Sequence, residues 1–240
     1  MVKIAICTPC YSTVLSEFAH DLAKMMLRTA GARIVFNGEP TVPEIEIFMR
    51  QSSMLAAVRN RLVKDALDWG ANYLLWIDPD HSFPPESLLR LLSLNLPVVG
   101  VNQPRRTSPT GPTATDLDGN LIWTTEELAE RGEVVQVGGL GLALCLIDMK
   151  VFESLHARAV AQGQESFWPL FAFETIPGQL KPLGEDVYFF RRLSEAGIPA
   201  YVDHALSWAV RHAHQRLLTN ADTLADKEAF FNERAMDPTR

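Results

Sequence analysis

Cysteine is scarce in this chain: Cys7, Cys10 and Cys145 are three residues in 240. An odd, small set argues against a disulfide framework and predicts a reducing, cytoplasmic setting. A secretory leader is not evident either, because MVKIAIC offers one lysine and a run far too short for an export signal. No apolar stretch reaches the length that crosses a bilayer, so no membrane insertion is expected. Basic residues are also in short supply. Twenty-two Lys and Arg against 29 Asp and Glu leave a formal charge of −7, which disfavours broad electrostatic capture of nucleic acid. Repeats, low-complexity segments and linkers are not apparent.

What is present suits one large α/β domain: 47% of residues are hydrophobic and 21% charged. Residues 3–8 (KIAICT) read as a buried strand broken by Pro9. A helical spacing of Leu15, Phe18, Leu22, Met25 and Met26 predicts a helix over 14–30. A second strand is expected at 32–36 and a loop at 37–48, where Pro40 and Pro43 fall. A helix over 53–69 ends at Gly70 as its C-terminal cap. The run Asn72 to Asp78 has no alternation, as in a central strand covered on both faces. Then come a short helix to Leu92, a strand at 98–101, a hairpin near Asp118-Gly119-Asn120 and a strand pair within 134–148 interrupted by glycines. Helices follow at 150–161 and 185–196. Residues 200–202 and 206–211 read as extended, and 222–236 as one amphipathic helix. Alternating strands and helices predict a largely parallel sheet, with ligands at the strands' carboxyl ends.

Asp78-Pro79-Asp80 stands at the carboxyl end of the most apolar strand. On an extended backbone, residues two apart project to one side, roughly 6 to 7 Å apart, and Pro79 stiffens the segment. Two hard oxygen ligands so placed can share a divalent cation and the diphosphate it bridges. The triplet alone says little, since about one copy is expected by chance in a chain this long. Indeed a second copy, Asp116-Leu117-Asp118, precedes Gly119 in a polar stretch and reads as turn chemistry. Cys7-Thr8-Pro9-Cys10 has the spacing of a redox pair, but Cys7 falls inside the strand.

The segment from Arg59-Asn60-Arg61 to Leu92 (RNRLVKDALDWGANYLLWIDPDHSFPPESLLRLL) resembles the core of family 2-like glycosyltransferases. The resemblance continues at 138–152 (GGLGLALCLIDMKVF), at Gly184-Glu185-Asp186 with Arg191 and Arg192, and at His212 and His214. It covers roughly residues 3–215, and compact bacteriophage enzymes have a similar layout. It implies the GT-A fold, a Rossmann-like, mostly parallel sheet flanked by helices. The chain would divide into a nucleotide-binding half (1–101), an acceptor half (102–215) and a helical tail (216–240). The implied activity is metal-dependent, inverting transfer of a sugar from a nucleoside-diphosphate donor to an acceptor hydroxyl. The resemblance calls for Mn2+ or Mg2+ and for a nucleotide sugar, with UDP-sugar slightly preferred; the acceptor could be a glycan, a protein or a modified DNA base.

Residue by residue, the resemblance puts Asp78 at the ribose, diphosphate or metal, and Asp80 on the metal with His212 or His214. Asp186 is the implied general base, with Glu185 as the alternative. Thr8, Pro9, Tyr11, Arg59 and Asn60 fall where the family contacts the nucleotide, and Gly139 where backbone approaches the sugar. The family's acidic residue after the second strand is not evident, so Asn37 or Glu39 would stand in. His81 reads as a local hydrogen-bonding residue, Trp168 as a stacking candidate, and Arg105 and Arg106 as phosphate or acceptor contacts. Two other readings remain: a sugar-nucleotide pyrophosphorylase-like enzyme, although CTPCYSTV lacks that family's basic glycine-rich loop, and a non-catalytic sugar-binding relative.

Overall fold

Alternation along the central strands explains the architecture. In the computed structural model, which describes residues 1–163, 169–178, 180–213 and 217–236, both faces of one sheet are covered. Ala5, Cys7, Leu74 and Trp76 enter one apolar cluster, while Ile4, Ile6, Leu75 and Ile77 enter the other. Period-two side chains that are apolar on both faces can only be satisfied by helices above and below.

The first half contains β1 (Val2–Cys10), α1 (Ser16–Ala30), β2 (Ile34–Phe36), β3 (Glu39–Thr41), β4 (Pro43–Gln51), α2 (Leu55–Trp69), β5 (Tyr73–Ile77), β6 (His81–Ser82), α3 (Ser87–Ser93) and β7 (Val98–Gly100). Next come α4 (Glu126–Glu130), β8 (Val134–Val137), β9 (Leu144–Asp148), α5 (Met149–Ala161) and α6 (Glu185–Glu195). The chain continues through β10 (Ala200–Asp203), α7 (His204–Ala209), β11 (Arg211–Ala213), β12 (Leu217–Leu218), α8 (Asn220–Ala225) and α9 (Lys227–Met236).

The main sheet has seven strands in the order β4-β1-β5-β9-β7-β10-β8. Its pairings make β9 and β8 antiparallel to the other five strands. The mostly parallel α/β class expected from the sequence is the class observed. A three-stranded sheet, β12-β11-β6, sits apart from it.

Several local expectations are corrected. Pro9 does not end β1, which continues to Cys10. Past Cys7 only β4 flanks that strand, so the missing proline donor faces no unmet partner on the β5 side. Residues 37–48 are not a loop. Asn37 and Gly38, both at positive φ (51° and 82°), make the two-residue turn of a β2–β3 hairpin, and Pro43 opens β4, the edge strand beside β1. The strands within 134–148 exist but do not pair: β8 lies at the far edge against β10, and β9 lies between β5 and β7. Residues 204–209 are helical because Asp203 caps them, its carboxylate accepting from Leu206 N. The tail is two helices, the first opened by a Thr219–Asp222 capping box. Gly70 ends α2 in the left-handed conformation, φ 77°. Among the described residues, no helix is long and apolar enough to cross a membrane.

Candidate active site at the carboxyl edge of the sheet

The chain leaves β5 at Ile77 and turns. His81 N donates to Asp78 O at 3.3 Å, with Pro79 at a turn position that its fixed φ suits. Two further bonds hold this segment: Leu15 N donates to Pro79 O at 3.1 Å, and Ala213 N to Asp80 O at 2.9 Å. All three carbonyls of Asp78-Pro79-Asp80 are therefore committed. The turn also corrects the extended geometry expected for the two carboxylates. They have different neighbours, and so different chemistry.

Asp80 meets two imidazoles. His81 Nδ1 lies 2.9 Å from its Oδ1, and His212 Nε2 lies 3.4 Å from its Oδ2. The short sheet sets this up, because its register places His212 directly opposite His81, with the rings stacked at 4.0 Å. Asp21 on α1 anchors β6 by accepting from Ser82 Oγ at 2.7 Å and Phe83 N at 3.1 Å. His212 Nδ1 is 2.7 Å from Pro104 O. A carbonyl can only accept, so Nδ1 carries a proton, and Nε2 is the ring nitrogen turned toward Asp80. His81 Nε2 is buried with no partner. Burial opposes ionisation of Asp80, but hydrogen bonds from His212 and His81 outweigh it and hold the carboxyl well below its usual range.

Ligand atoms of Asp80, His81 and His212 lie within 4.8 Å of one another. A carboxylate grouped this closely with two imidazoles is a donor set that fits a divalent transition ion. Asp78 is not in this group. Arg106, from the loop after β7, places Nη1 2.8 Å from Asp80 Oδ2. His81, read as a local hydrogen-bonding residue, does bond its neighbour Asp80, but sequence reasoning did not foresee its stack on His212 or the approach of Arg106: these depend on β6–β11 register and on the loop path, which leave no local signal. His214 and Trp168 lie outside the described residues.

Asp78 belongs to a second, buried set. Arg59 Nη2 donates to Asp78 Oδ1 at 3.0 Å, and its Nε donates to Glu185 Oε1 at 3.2 Å. The guanidinium lies 5.0 Å above the Trp76 ring. Burial works against the charge on this arginine, and Asp78 and Glu185 more than offset it. Asn60, next to Arg59 and expected at the nucleotide, has its amide turned to the backbone. Its Oδ1 accepts from Leu170 N and Phe171 N, and its Nδ2 donates to Ala56 O and Phe171 O. That fills the capacity of the amide and pins residues 170–171 to α2.

Glu185 and Asp186 open α6. Burial pushes both carboxyls up, and Arg59 pulls both back down. Asp186, Val187 and Phe190 line a cleft of about 840 Å³, with Gly138, Gly139 and Leu140 opposite. At Gly138 a Cβ would sit 2.4 Å from Asp116 O, so that wall admits only glycine. Thr8 and Pro9 are buried at the end of β1, while Tyr11 is 74% exposed. Asn37 and Glu39 lie in the β2–β3 hairpin, off the main sheet. The parallel strand beside β1 is β4, and Ser52 follows it, donating its N–H to Cys10 O. Neither Asn37 nor Glu39 therefore follows that strand. Burial pushes the Cys7 and Cys10 thiols up, the reverse of a redox pair's activated thiolate.

No protein-family profile matches this sequence, and no curated protein does. Among solved structures, A197 from STIV superposes with a TM-score of 0.52 at 16% identity, covering 92% of each chain. This chain has that fold. A looser likeness, TM-score 0.46 at 14% identity, relates 85% of it to 65% of a Drosophila beta-1,4-galactosyltransferase 7 variant in complex with manganese, UDP-Gal and xylobiose.

Proposed function

We propose that this protein is a glycosyltransferase of the GT-A type, moving a sugar from a nucleoside-diphosphate donor to an acceptor hydroxyl. The observation that carries the reading is the meeting, at the carboxyl edge of one sheet, of the Asp80–His81–His212 cluster with the Arg59-linked acids of β5 and α6. A candidate cation cluster beside buried acids, with Asp186 at the start of the same helix lining an open cleft, is what such a transfer needs.

Asp80 and His212 would hold a divalent cation, Mn2+ or Mg2+, with His214 and Asp78 as further candidates. That ion would supply neutralising charge for the departing nucleoside diphosphate. Asp78 is the candidate contact to the donor ribose, and Thr8, Pro9 and Tyr11 at the end of β1 are those to the nucleotide. Arg59 acts from beneath, orienting Asp78 and Glu185 through its hydrogen bonds. Asp186, on the cleft that Gly139 shares, takes the acceptor proton as its oxygen attacks the anomeric carbon. Residues 1–101 then serve the nucleotide and 102–215 the acceptor.

The decisive assay measures donor turnover with and without manganese, using uridine and guanosine diphosphate sugars. Asp186→Asn should keep donor binding by calorimetry and lose transfer. Unchanged transfer rejects Asp186 as the base, and manganese-independent turnover rejects the cation site.

A further inference from the structure

Strand β4 forms one edge of the main sheet. It is nine residues long and pairs with β1 along its whole length, from Val2 opposite Pro43 to Cys10 opposite Gln51. Among the described residues no strand pairs with its other side. Long open edges are usually blunted by a bulge, an inward charge or a mid-strand proline or lysine. Here proline stands only at the first position and no lysine occurs.

The side chains of β4 carry a pattern. Ile45 packs into the cluster under α1, and Phe48 packs on the opposite face. Alternation then puts Ile47 and Met49 beside Ile45, and these two are 36% and 46% exposed. Charge divides along the strand: Glu44 and Glu46 fall in its first half, Arg50 near its end.

We propose that β4 pairs antiparallel with β4 of a second copy of this chain, about a two-fold axis at Ile47, joining two seven-stranded sheets into one. With that axis Ile47 meets Ile47 of the partner subunit, Ile45 meets Met49 of the partner subunit, and Glu44 meets Arg50 of the partner subunit. Moving the axis to Phe48 puts Glu46 opposite that arginine, so the acidic half still faces the basic end. A parallel pairing in register would set like charge on like. The two-fold arrangement is self-complementary, as an isologous interface requires, and opposed apolar and opposite-charge pairs are what stabilise adjacent strands. Arg50 also pairs with Asp65 on α2 of its own chain, so the partner subunit's acid would join an ion pair already formed there.

Light scattering after gel filtration tests this on the full-length protein at micromolar to sub-millimolar concentration. The expected result is a dimer that Ile47→Lys converts to monomer. The register is tested by charge reversal. Glu44→Lys/Glu46→Lys and Arg50→Glu should each weaken self-association by at least about tenfold, since two opposed charge contacts reverse sign. Mixing the two variants should restore a dimer, because each supplies the charge that the other lacks. A merely damaged strand would not recover on mixing. A monomeric wild type, a dimer that survives Ile47→Lys, or a mixture that stays monomeric would overturn the proposal.

Discussion

The same triplet, Asp-x-Asp, occurs twice in this chain and does different work each time. At Asp78-Pro79-Asp80 the segment follows a buried strand. Its carboxylates reach Arg59 on one side and His81, His212 and Arg106 on the other. At Asp116-Leu117-Asp118 the first carboxylate folds back on its own loop: Asp116 Oδ1 accepts from Asp118 N at 2.9 Å and Asn120 N at 2.8 Å, and Gly119 completes the turn at φ 85°. Spacing does not distinguish the two. What does is a strand that delivers one of them to a place where three other segments converge.

Substitutions sharpen that contrast. The largest expected effect is Asp80→Ala, which should take metal-dependent donor turnover to background while Asp118→Ala leaves it near wild type; equal losses would erase the distinction. Arg59→Met should come next. It strands Asp78 and Glu185 without their buried partner, which costs about 3 to 5 kcal/mol in denaturant unfolding. In whatever activity survives, it should move the acid limb of kcat/KM to higher pH. The sign follows from the charge: Arg59 lowers the Glu185 and Asp186 carboxyls, so without it a higher pH is needed to ionise the base. An acid limb that stays put would separate Arg59 from the catalytic acids. Arg106→Gln should be smaller, tightening Mn2+ binding by about two- to fivefold in calorimetry, since an exposed ion pair that competes for Asp80 is worth at most about 1 kcal/mol. Looser binding would make Arg106 a helper of the cation instead. Smallest is Asp116→Ala, which should lower the thermal midpoint slightly and leave donor hydrolysis unchanged.

Much of the fold was legible in the sequence. The apolar run of β5, the Gly70 cap and the Asp116 turn each have local causes, and local causes leave local marks. Strand β4 was missed because Pro40 and Pro43 spoke for a loop. The alternation of Ile45, Ile47 and Met49 was the better signal, and proline is acceptable at the first position of an edge strand. Helix α7 was missed because its Asp203 cap went unread. The site divides in the same way. Asp80, His212, Arg59 and Asp186 stand in recognisable blocks and His81 bonds its sequence neighbour, whereas the His81–His212 stack and the reach of Arg106 arise only from long-range pairing. Asn60 lies in a recognisable block too, yet its amide is spent on the backbone of residues 170–171.

The small β12-β11-β6 sheet separates two properties that usually travel together. The last strand of the main sheet, β10, ends at Asp203, whereas His212 comes later, on β11. A chain stopped after Ala209 would keep every strand of the large scaffold yet lose one wall of the ion cluster. The strands of the large sheet and the residues gathered around Asp80 thus come from different stretches of the polypeptide, and a late hairpin brings His212 across to its partner after the sheet's last strand has ended.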